Sequence, residues 1–110
     1  MPSEDAADDQ AALRAIWEEH RAATLDRVAA LERAAALAVG GRISDAERET
    51  ARQEAHTLAG TVAFFGFREA SRIASEIQRF FAEGRTPDPE WLRDRLAKLR
   101  GALEGLPYTS

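Results

Sequence analysis

Glycine and proline, which interrupt helices, gather at four places in this 110-residue chain: Gly40-Gly41, Gly66, the stretch from Gly84 to Pro89, and Gly105 with Pro107. Between those points apolar side chains recur every three or four residues, the period of a helix and not the alternation of a strand. The remaining positions are rich in alanine, glutamate and arginine, which favour helix. The pattern therefore predicts four helices.

The first helix is expected over about residues 7–38, as one helix or as two with a bend near Ala22. Leu13, Ile16, Trp17, His20, Thr24, Val28, Leu31 and Ala35 share one face of it. Ser44 starts the second helix, and Glu47 three residues on completes a capping box. Its inward stripe is Ala51, Ala55, Leu58, Val62 and Phe65, and Gly66 ends it. The third, roughly Arg68 to Ala82, buries Ala70, Ile73, Ala74, Ile77 and Phe81 before Gly84. Prolines and cap residues in "TPDPEW" open the fourth, whose stripe is Leu92, Leu96, Leu99 and Leu103. Short connections make neighbours antiparallel, so the fold class is all-α: an up-down-up-down four-helix bundle with a long or bent first helix. The bundle is expected over residues 9–105, after a disordered acidic lead at 1–8 and before a loose tail at 106–110.

Composition removes several function classes. There is no cysteine and there are only two histidines, so the usual ligand set of a structural metal site cannot be assembled. Fifteen basic residues are scattered among nineteen acidic ones for a net charge of −4, which argues against a nucleic-acid partner. The longest apolar run, "AAALAV" (Ala34 to Val39), is far too short to span a membrane. The acidic start "MPSEDAADDQ" lacks the pattern of a secretory signal. A cytoplasmic domain with no cofactor of its own is the expectation.

The stretch "HTLAGTVAFFGF" (His56 to Phe67) is the exception to this plain account. On a helical wheel, Gly60 lies about 40° from His56, Ala63 about 20°, Ala59 about 60° and Arg52 about 40° on the other hand. Leu58 and Phe65 lie on the opposite side, so His56 points away from the core onto a patch of small residues, with Phe64 at its edge. A glycine inside a helix costs roughly 0.5–1 kcal/mol relative to alanine. At Gly60 that cost falls where it strips side-chain cover from around the imidazole. A neutral imidazole presents a free ring nitrogen near neutral pH and can act as a nucleophile. Phosphoryl transfer asks a protein mainly for positioning and charge stabilisation. The plain alternatives are a solvated histidine with no role and a glycine that serves helix packing.

This stretch resembles the signature of histidine-containing phosphotransfer (HPt) domains, including the N-terminal domain of chemotaxis kinases. The pattern reads here as His56, Thr57, Leu58, Ala59, Gly60, then Phe65-Gly66, and "FFGF" is similar to the chemotaxis-kinase version. The likeness is close over about residues 44–83 and otherwise one of helical architecture. It implies that His56 is phosphorylated, on Nε2, and that Gly60 lets a receiver domain approach, so the patch of Ala59, Gly60, Ala63 and Phe64 is the expected docking surface. It also implies a turn at Gly66 and no kinase or phosphatase activity of the domain itself. The chain departs from the family twice. Its lysine three residues after the histidine is Ala59 here; Arg52, one turn before His56, is the candidate substitute. A glutamate that orients the imidazole in chemotaxis kinases is Gln78, which accepts a hydrogen bond but adds no charge.

Other residues get plainer readings. His20, between Trp17 and Thr24, is expected to line the bundle with a local hydrogen bond. Trp17 and Trp91 read as packing residues. "WEEHR" lacks a third anchoring ligand for a metal, and Ser71 and Ser75 have no histidine spaced to activate them. Two functions follow. One is a phosphorelay intermediate, with a histidine kinase and response-regulator receiver domains as partners and any magnesium held by the receiver. The other is a docking or dimerisation adaptor of the same shape without covalent chemistry. Beginning at Met1, the chain reads as either a stand-alone relay protein or the first module of a longer one.

Overall fold

The computed structural model describes residues 3–83 and 88–104. Four helices follow one another: α1 (Ser3–Val39), α2 (Asp45–Phe64), α3 (Arg68–Glu83) and α4 (Pro89–Ala102). No strand occurs among the described residues. Each helix packs on its two neighbours around a ring, with α4 closing back onto α1, and among the described residues the diagonal pairs do not approach. This is the expected antiparallel all-α bundle. Helix α1 is continuous past Ala22 and begins at Ser3, inside the stretch expected to be disordered. Gly84, Gly105, Pro107 and the tail at 106–110 lie outside the described residues.

The helix ends form where local chemistry demands them. At the C-terminus of α1, Gly41 N–H bonds the Ala38 carbonyl and Arg42 N–H the Leu37 carbonyl, at 3.1 and 2.8 Å. Gly66 N–H to Ala63 and Phe67 N–H to Val62, at 3.0 and 2.9 Å, repeat this arrangement after α2. Both are Schellman motifs, which need a left-handed residue at the turn. Gly41 and Gly66 supply it, with φ of 69° and 89°. The capping box of α2 is complete: Ser44 Oγ accepts from Glu47 N–H, and Glu47 accepts from Ser44 N–H, both at 3.0 Å. The Glu47 carboxyl is held below its usual range, first by the Ser44 backbone bond. Asp88 caps α4 ahead of Pro89.

The core stripes of α2, α3 and α4 are buried residue for residue as their periodicity predicts. Helix α1 differs. Trp17, Thr24, Val28, Leu31 and Ala35 are buried, but Ile16 is 40% exposed and His20 is exposed too. Helix α1 is 37 residues long, about 55 Å at 1.5 Å per residue, against 20 residues in α2. It therefore outruns its partners, and from Asp9 on Trp17 is the first buried residue. The Trp17 ring lies 5.1 Å from Phe65 and 4.8 Å from Phe67, both tilted. Such pairs contribute about 0.5–1.5 kcal/mol each beyond area burial. They pin α1 to the α2–α3 turn.

Candidate functional site

Helix α2 is held at both ends, by the capping box and the Schellman turn, and carries His56 in between. Its inner face buries Ala51, Ala55, Leu58 and Val62. Its outer face leaves His56, Thr57, Gly60, Ala63 and Phe64 exposed. Antiparallel packing brings Gln78 of α3 alongside, with its Oε1 at 3.4 Å from His56 Nδ1. With the proton on Nδ1 this is a long hydrogen bond donated to Gln78, and Nε2 keeps a free lone pair. Nε2 is separated from Nδ1 by one ring carbon and is not engaged by Gln78.

His56 lines an open hollow of about 550 Å³. Ile16 and His20 of α1 line one side, and His56, Thr57, Gly60, Thr61 and Phe64 of α2 the other, with buried Phe65 between them. Liquid water takes up about 30 Å³ per molecule, so the hollow has room for far more than a small anion. Phe64 is 66% exposed and meets Phe65 edge-on at 5.1 Å. A Cβ added at Gly60 meets no atom within 4 Å. Packing within the bundle therefore does not require that glycine, and its conformational cost leaves open space beside His56.

Three site expectations need correction or qualification. His20 does not line the bundle. Its place on α1 drifts toward α2, where Thr57, Gly60 and Thr61 are too small to cover it, and its exposed ring shares the hollow with His56. The local bond found there is Thr24 Oγ1 donating to the His20 carbonyl at 2.9 Å. Ala59, expected on the exposed patch, is only 8% exposed. It faces α3, and its carbonyl accepts from Ser71 Oγ at 3.0 Å. Arg52 is engaged, donating to Glu49 from Nε at 2.9 Å and Nη2 at 2.6 Å. The Glu49 carboxylate holds the guanidinium above its usual range and is itself held low by Arg52.

Sequence reasoning placed Ile16 and His20 on the core face and so missed one wall of the hollow. The signal available was the small side chains of Thr57, Gly60 and Thr61 on the flank of α2 that turns to α1. Trp91 packs on Phe80, with ring centroids 5.8 Å apart, and has Arg95 over its face. Among the described residues no group of three or more histidine, cysteine or acidic side chains is placed to hold a metal. No described helix is long and apolar enough to cross a membrane.

The sequence matches the family model described as Hpt domain over residues 3–107. No curated protein and no solved structure matches it.

Proposed function

The chain belongs to the Hpt domain family, which implies histidine phosphotransfer in two-component signalling, and from that premise we propose that it is a phosphorelay intermediate that carries the phosphoryl group on His56. The observation that carries this reading is an exposed imidazole with Nδ1 against Gln78 Oε1, set in the lining of an open hollow. The donor is an aspartyl phosphate of a receiver domain. The Nε2 lone pair attacks phosphorus and forms the N–P bond. The bond from phosphorus to the aspartyl oxygen breaks, and the carboxylate leaves with the pair. Nδ1 keeps its proton against Gln78, so the loaded ring is a cation, and the reverse step returns the group to a receiver. Gln78 fixes ring orientation without adding charge. A capped, rigid helix supplies the positioning that in-line transfer needs.

Gly60, Ala63 and Phe64 form the docking surface in this reading, and Ile16 extends it onto α1. Arg52 would serve the phosphoryl group only by giving up Glu49. The domain is a phosphocarrier, with the kinase and receivers supplying catalysis and any magnesium, and it works in the cytoplasm.

Mixed with a phosphorylated cognate receiver, the protein should gain an acid-labile, base-stable label that His56→Gln removes. A label that persists in His56→Gln would defeat the assignment. A second reading, a docking adaptor without covalent chemistry, is favoured by Ala59 in place of the family's lysine. It predicts receiver binding that survives His56→Gln and never yields phosphohistidine.

A further inference from the structure

Both histidines of the chain line the same hollow, and the relay uses only one of them. The His20 ring lies with its centroid 6.0 Å from that of buried Phe65, tilted by 45°, which holds it at the inner side of the opening. A phosphoryl group on His56 Nε2 brings close to two negative charges into this space near neutral pH. The rest of the lining is Ile16, Thr57, Gly60, Thr61, Phe64 and Phe65, none of which carries charge. No lysine or arginine lines the hollow. Ala59 turns to α3, and Arg52 is held by Glu49. Further along the α1–α2 seam, Arg27 and Glu54 pair with each other at 2.8 Å. Helix α3 reaches His56 through neutral Gln78. On α1, Glu19 and Arg21 flank His20 about 100° to either side, with opposite charges.

We propose that His20 is an anion-binding residue of this site, its imidazolium pairing with the phosphoryl group that His56 carries. The proposal rests on the relay reading and fills the vacancy left by Ala59. It differs from a fixed lysine in one physical respect. An opposite charge nearby favours the protonated imidazole, so His20 gains its charge as the site is loaded and gives it up as it unloads. His20 therefore stabilises the loaded state without presenting a permanent charge to an approaching receiver.

The test loads the full chain with phosphoramidate, from which the phosphoryl group passes to His56 and ammonia leaves. With 15N-labelled imidazoles, His20 should titrate at least about half a pH unit higher in the phosphorylated protein than in the unmodified one. The phosphoryl group and the phosphohistidine ring titrate in the same range, so transfer is read as the ratio of His20→Gln to wild type at each pH. His20→Gln should still accept the label on His56. Its equilibrium loading from a receiver should fall roughly 3- to 10-fold near pH 6 and less near pH 8. His20→Lys should load as well as wild type near pH 6 and better than wild type near pH 8, where lysine keeps the charge that the imidazole loses. An unshifted His20 titration, with a pH-independent loading ratio near one, overturns the proposal while a label on His56 leaves the relay standing. A label that survives His56→Gln, or that sits on His20, overturns both.

Discussion

Small residues line two flanks of α2 and do opposite things there. Toward α3, Ala55 and Ala59 are buried, as are Ala70 and Ala74 of α3, and Ser71 reaches across to the Ala59 carbonyl. Small meets small, so that seam closes. Toward α1, Thr57, Gly60 and Thr61 face Ile16 and His20 near the point where α1 leaves the bundle, and a hollow remains. Trp17 closes this side instead, on Phe65 and Phe67. A short side chain does not by itself determine contact or opening; what stands opposite it does. The closed seam sets the bundle's stability and the open one sets what can approach His56.

The largest effect should come from crowding the closed seam. Ala74 is fully buried, so Ala74→Leu adds carbon where helices already touch and should cost about 1–3 kcal/mol. Urea denaturation followed by circular dichroism checks this. An unchanged midpoint would mean that the α2–α3 seam has slack, and the contrast between the two flanks would lose its basis.

Next comes the turn that joins the two flanks. Gly66 has φ of 89° and sits in the Schellman bonds that end α2. Gly66→Ala forces a Cβ into the left-handed region and should cost about 1–2 kcal/mol. Because Phe65 and Phe67 anchor Trp17 from either side of this turn, the same variant should raise hydrogen exchange in α1 around Trp17. Destabilisation confined to the turn itself would separate the two roles.

Legibility from sequence follows the same division. The stripes of α2, α3 and α4, the Ser44 capping box and the proline-marked start of α4 were readable because each depends on residues within a few positions of one another. Periodicity also put Ile16 and His20 on the core face of α1. Whether a facing helix has the bulk to cover that face is set forty residues away, and no local pattern carries it. Ala59 was misplaced for a related reason. The wheel sets it about 60° from His56, but α3 lies on that side and buries it. The approach of Gln78 to His56 was available only through the family resemblance, since it is antiparallel packing that brings residues 22 positions apart together.

The smallest effect on stability bears most directly on function. Gly60 and Gly101 both lie inside helices, and an added Cβ at either meets nothing within 4 Å. Replacing each by alanine restricts the unfolded chain and relieves the helix of a poor former. Each variant should therefore gain about 0.5–1 kcal/mol, somewhat less for Gly101 in the last turn of α4. Thermal unfolding would register both as modest rises in midpoint. Only Gly60→Ala puts its methyl beside His56, so only it should slow transfer from a phosphorylated receiver. A loss of stability in Gly60→Ala would return that glycine to the service of the fold. Equal transfer rates in the two variants would show that a partner does not come as close to α2 as the open space at Gly60 permits.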